Sequence, residues 1–268
     1  MNKQSLVAQY IKSFIDLVDS FFNDDTTYYA ASLSFFTIFS ILPIIALLIA
    51  IISSMEIFQG YLDIFISYVF DILNPTHSKD FINSFKNFIS NSNQLGYIGL
   101  IYMIFVFVMF FKDYEYIVNK LHKTKRRPIY KSFLFYLIFL IALPFLFTIS
   151  DILLSLNKSS FLNSLTTFII AWFIFFILFK LSVNKFVYTK AALISSFFTL
   201  IILSITKNLF VYYVVYNKTY STIYGSLATL LFSFFWIYIS WIIYLYGIKM
   251  CHRLNIQEQL KKRKFLNK

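Results

Sequence analysis

The chain has 268 residues, 59% of them hydrophobic and only 13% charged, against about 45–50% and about 25% in soluble domains; with 35 Phe, this excludes a surface that faces mainly water. The same apolar content excludes a disordered chain, and the single Cys251 excludes a disulfide-stapled fold. A net charge of +12 raises nucleic acid as a partner, and the placement of the charges along the chain decides against it.

Residues 1–27 lack the long apolar core of a signal peptide, and Asp16, Asp19, Asp24 and Asp25 stand where cleavage would occur. Tyr10, Phe14, Leu17, Val18 and Phe21 share one helical face instead. This predicts a cytoplasmic amphipathic helix, lying along the membrane interface or packed on the protein's own loops.

About 20 helical residues cross about 30 Å of hydrocarbon, and long uncharged runs follow. They comprise 30 residues between Asp25 and Glu56, 25 between Lys86 and Lys112, 19 between Lys131 and Asp151, and 21 between Lys158 and Lys180. Lys190 and Lys207 bracket 16 more, extended by the apolar 208–216, and Lys218 and Lys249 bracket 30. Six spans are predicted, at about 30–53, 95–111, 132–150, 160–179, 190–212 and 222–248, in a membrane domain covering 28–250. The segments are apolar on all sides, unlike the alternating strands of a membrane β-barrel, so the fold class is all-α and polytopic.

With six spans, 19 of the 24 Lys and Arg fall on one side and 5 on the other. The positive-inside rule then places both termini in the cytoplasm. The runs at 120–131 and 261–268, the second within a basic tail over 251–268, read as topology signals touching anionic lipid. No nucleic-acid recognition module accompanies them. The outward loop 54–94 carries two apolar stripes broken at Asn74-Pro75-Thr76, which predicts two amphipathic helices, with a re-entrant arm as the alternative for the first.

Polar residues inside the spans are mostly small hydroxyls. Ser32 and Ser40 share a face ahead of Pro43; Ser195 and Thr199 lie in the fifth span; Ser226, Thr229, Ser233, Trp236 and Ser240 form a heptad stripe in the last, with Gly247 seven residues on. Such stripes pack helices or line a polar path, and both readings stand. Glu115 and Asn119, one turn apart where the second span leaves the membrane, are placed to bond each other or cap a neighbouring helix at an inner mouth. No enzyme chemistry is expected. His77, His122 and His252 sit on separate loops, no zinc-ligand spacing or phosphate-cradling glycine loop is present, and Cys251 reads as a small hydrophobe. Neither a catalytic group, a metal nor a cofactor is called for.

The stretch Ala30-Ala31-Ser32-Leu33-Ser34-Phe35-Phe36 through Ser40 and Pro43 resembles the first-span signature of the YihY/BrkB family of bacterial inner-membrane proteins. Glu115 with Asn119, and Tyr224-Gly225-Ser226 with Trp236, Tyr238 and Gly247, are similar to its second-span and last-span motifs. The likeness covers roughly 10–255. Phe35-Phe36 stands where Tyr-Tyr is frequent, and Gly247-Ile248-Lys249 lacks the acidic residue that often follows that glycine. The resemblance implies an inner-membrane protein of envelope biogenesis. A ribonuclease label once attached to the family finds no His/Asp cluster here to support it. Expected is translocation of a lipid or other amphiphile, alone or as a transporter's partner; the alternative is a scaffold docking a periplasmic or envelope protein. Membrane lipids are the expected partners, and the sequence leaves the oligomeric state open.

Overall fold

The computed structural model describes residues 25–54, 87, 96–156, 159–216 and 226–266. The amphipathic segments expected before residue 25 and over most of 54–94, and the turn at Tyr224 and Gly225, lie outside the described residues. Among those described, every element is a helix: α1 (Asp25–Ser54), α2 (Gly96–Leu121), α3 (Ile129–Leu156), α4 (Ser160–Leu181), α5 (Thr189–Tyr216) and α6 (Ser226–Leu266).

Five of the six are long and apolar enough to cross a membrane. The remaining one, α2, is apolar up to Phe111 and then continues through Lys112, Asp113 and Glu115. Helices suit lipid because each satisfies its own backbone groups. Pro43 in α1 and Pro144 in α3 are carried inside the helices. Each leaves one upstream carbonyl without its usual N–H.

All six helices overrun the hydrophobic runs that announce them. The largest excess is in α6, whose 41 residues span about 60 Å at about 1.5 Å each, twice the hydrocarbon thickness. The basic segment after residue 250 therefore continues the last helix as far as Leu266.

Packing is uneven. α6 lies against α5 and α1, α1 against α2, and α4 against α5. The core gathers Leu33, Phe107, Tyr114, Val118, Tyr136, Phe179, Leu245 and Ile248, all within this bundle. A smaller cluster joins Phe210 of α5 to Phe232 and Trp236 of α6, with the Phe210 and Trp236 rings stacked at 5.3 Å. α3 and α4 are peripheral and present broad apolar faces, including Ile138, Phe145, Phe161 and Phe173. In lipid such faces need no cover, since the surrounding chains are as apolar as they are.

The start of α1, the end of α2 and the middle of α6 meet at one end of the bundle. The Lys120 ammonium lies 5.0 Å from the centre of the Tyr29 ring, and that of Lys262 lies 4.9 Å from the Tyr188 ring. The connections 122–128 and 182–188 lie at this same end, which collects most of the basic residues.

Candidate functional site

At the basic end, α2 does not simply fray. Lys123 adopts a left-handed φ of 52°, and the N–H of Thr124 returns to the Asn119 carbonyl at 2.9 Å. With the Lys123 N–H bonded to the Lys120 carbonyl at 3.0 Å, this closes the helix as a Schellman motif without the usual glycine. The turn brings Arg127 back over α2, where its backbone N–H donates to Glu115 Oε1 at 3.1 Å. Its guanidinium reaches across to the α4–α5 connection, donating to the carbonyls of Leu181 and of Val183.

Asn119 completes the tie. Its Nδ2 donates to the Glu115 carbonyl at 2.8 Å and to the Ser182 carbonyl at 3.2 Å, while its Oδ1 accepts from the Asn184 N–H at 2.7 Å. From the other side Asn255 of α6 grips the same connection, accepting from the Tyr188 N–H at 2.9 Å and donating to the Phe186 carbonyl at 3.2 Å. Below them Tyr114 donates to Ser182 and shares a hydrogen bond with the Tyr244 hydroxyl. Two asparagines and one arginine thus clamp a loop whose own backbone groups would otherwise be buried unpaired.

The sequence picks out Glu115 and Asn119 but not their partners. Asn119 meets the backbone carbonyl of Glu115, not its carboxylate, and its main bonds go to residues more than sixty positions away. Glu115 is 1% exposed and its Oε2 is buried without a hydrogen-bond partner. His122 and His252, read as separate, are neighbours: their rings are 5.1 Å apart, centre to centre. His122 is fully buried with both nitrogens unpaired. Burial, then His252 and Lys185, lower its pKa to about 3, so it is neutral at ordinary pH. Among the described residues no group of three His, Cys, Asp or Glu side chains could hold a metal ion.

The hydroxyl stripes have a different character. Ser40, Ser195, Thr199 and Ser233 are buried, and Ser32 is half-buried. Ser195 donates to the Ala191 carbonyl and Thr199 to that of Ser195, each at 2.7 Å, and Ser40 to that of Thr37 at 3.4 Å. Pro43 and Trp236 are buried in the bundle, and Gly247 meets Thr199 across α5 and α6. The side chains of Ser226 and Thr229 lie outside the described ones. Between α1 and α6 the Trp241 indole donates to Thr37 Oγ1 at 2.8 Å. Trp241 escapes sequence reasoning because an aromatic in a span looks like lipid-facing bulk.

At the opposite end of the bundle lies a groove of about 720 Å³ bounded by α3, α4 and α5. Ser160, Asn163, Ser164, Thr167 and Ser204 supply its polar wall, and Leu154, Phe168, Ala171 and Leu200 its apolar one. Among the described residues no charged side chain lines it. Ser164 and Thr167 donate to carbonyls of their own helix, whereas Asn163 Oδ1 is buried and has no donor. The groove therefore offers acceptors and an apolar shelf side by side.

Comparison with known proteins agrees with this architecture. The model of the family described as Virulence factor BrkB matches residues 17–265, and the chain belongs to that family. A UPF0761 membrane protein of Aggregatibacter aphrophilus is 27% identical over 67% of this chain and 69% of its own length. One from Legionella pneumophila is 28% identical over 56% of this chain, which spans 35% of that longer protein. One from Pseudoalteromonas atlantica is 25% identical over 87% of this chain and 82% of its own. No solved structure matches.

Proposed function

We propose that this BrkB-family membrane protein moves a lipid or other amphiphile across the bacterial cytoplasmic membrane, or serves a transporter that does, with both of its termini in the cytoplasm. The observation that carries the reading is the uncharged groove between α3, α4 and α5, with a hydroxyl and amide wall facing an apolar one. A molecule with a polar head and a hydrocarbon chain matches that division. A hydrophilic ion does not, because none of the described residues lining the groove carries a charge to replace its water. The unpaired Asn163 Oδ1 favours a head that donates a hydrogen bond, such as a hydroxyl or amine. The 19-to-5 split of basic residues supports the orientation.

The reading is tested by reconstituting the purified protein into vesicles that carry a fluorescent lipid in both leaflets. A quencher added outside then reports exchange between leaflets. Transfer above that of protein-free vesicles is expected, and Ala171→Trp, which fills the groove, should abolish it. No transfer with native lipids and copurified partners present would contradict the reading. The competing scaffold reading draws on the exposure of α4, whose most apolar window contains no buried residue. A scaffold would keep its partner after Ala171→Trp and show no transfer at all.

A further inference from the structure

A second feature lies at the other end of the bundle, away from the groove. Between α2 and the start of α3 runs a narrow crevice whose interior admits about one water-sized group. Phe107, Phe111 and Phe133 form an apolar side, and Lys112, Glu115 and Arg126 supply charge. The Phe107 ring sits 4.7 Å from that of Phe111 and 6.3 Å from that of Phe133, centre to centre, so the apolar side is continuous.

The charged groups do not satisfy one another. Among the described residues, Lys112, Arg126 and Glu115 take part in no ion pair. Arg127 is occupied by two carbonyls of the α4–α5 connection. Of the Glu115 carboxylate, Oε1 receives the Arg127 N–H while Oε2, buried in a residue 1% exposed, receives nothing. A buried carboxylate oxygen without a donor is unfavourable unless something else fills that position.

We infer that the crevice between α2 and α3 binds the headgroup of a phospholipid carrying a hydrogen-bond donor beyond its phosphate. The phosphate sits between Lys112 and Arg126, and the hydroxyl or ammonium reaches Glu115 Oε2. Two unpaired cations suit a phosphate, a donor the size of one water suits the interior, and the phenylalanine wall suits the first part of an acyl chain. The basic end of a membrane helix bundle is also where anionic headgroups concentrate. This inference does not depend on the α3–α5 groove, and failure of leaflet exchange would leave it standing.

Native mass spectrometry of the full chain tests it, with equimolar phosphatidylglycerol, phosphatidylcholine and phosphatidic acid of the same acyl chains. Wild type should retain phosphatidylglycerol over phosphatidylcholine by about tenfold or more, the scale of one charge-assisted hydrogen bond. Lys112→Gln with Arg126→Gln, both near the crevice mouth, should weaken retention of both lipids, which share the phosphate. Lys261→Gln with Arg263→Gln, on the distal part of α6, should leave retention intact. Glu115→Gln should remove the preference for phosphatidylglycerol over phosphatidic acid. Equal retention of phosphatidylglycerol and phosphatidylcholine by wild type would overturn the inference and leave a water as the partner of Glu115. So would an equal loss of retention in both paired variants, which would mark general attraction to basic surface. Displacement of the lipid by millimolar glycerol 3-phosphate would reassign the site to a water-soluble phosphate and overturn the lipid assignment.

Discussion

Thr199 of α5 rests directly on Gly247 of α6: a Cβ placed on Gly247 would stand 2.0 Å from Thr199 Oγ1 and 2.9 Å from its Cγ2. The glycine is what lets these two helices approach, and Phe179 closes the third side at 3.0 Å. In lipid, where no hydrophobic force drives helices together, such close backbone approach is a principal source of packing energy. Gly247→Ala should lower stability by about 1–3 kcal/mol, the usual cost of overpacking. Thr199→Ala removes both clashing atoms, so the double variant should regain much of the loss. Thermal unfolding in detergent checks both, and an additive double variant would contradict the contact.

Asn119 makes three hydrogen bonds, one to the Glu115 carbonyl within α2 and two to the α4–α5 connection. Asn119→Leu leaves the Asn184 N–H without its acceptor in a part-buried position and should cost about 2–4 kcal/mol, at about 1 kcal/mol or more for each bond lost. Asn119→Asp keeps the acceptor and loses the donors, so it should fall between wild type and the leucine variant. Limited proteolysis at 182–188 reads the loosening of the connection directly.

The Trp241–Thr37 hydrogen bond ties the last helix to the first. Trp241→Phe and Thr37→Val should each cost about 1 kcal/mol from the bond, with a coupling of similar size in the double-mutant cycle. A cycle that closes at zero would mean that the indole N–H and the hydroxyl do not meet.

His122 gives the protein an acid-sensitive point. Burial lowers its folded-state pKa to about 3, while an unfolded histidine titrates near about 6.5. Above pH about 6.5 both states are neutral there and the group adds no pH dependence. Below it the unfolded chain takes up a proton that the folded one refuses, and stability falls by up to about 1.4 kcal/mol per pH unit until about pH 3. The melting temperature of His122→Gln should therefore decline less than wild type between pH 6.5 and 4.5. Parallel curves would contradict the burial.

Much of the architecture is legible in the residues, and the reasons it is only partly so are physical. Lys112 and Lys131 bound uncharged runs because a charge in hydrocarbon is costly, so the helices could be counted from charge alone. The ends of the helices could not. Once α2 passes Phe111 or α6 passes Lys249, water replaces lipid and the apolar signal stops although the helix continues. Glu115 and Asn119 stood out by their spacing. Ser182, Asn184 and Asn255 did not, because their partnership with Asn119 or with the same connection exists only after distant segments fold together. Glycine at 247 was visible as a seam residue, but only the fold pairs it with Thr199. The α3–α5 groove was invisible, since Asn163 and Ser204 stand apart in the chain and look like scattered polar residues.

The proposed function requires an amphiphile in the groove walled by Asn163, Phe168 and Leu200. The most direct measurement is cross-linking of a photoactivatable phospholipid to the protein in native membranes, with adduct sites mapped by mass spectrometry. Adducts should concentrate in 160–171 and 200–204 and be strongly reduced by Ala171→Trp. Adducts spread evenly over exposed faces such as Phe35 and Phe39, with a yield indifferent to Ala171→Trp, would contradict it.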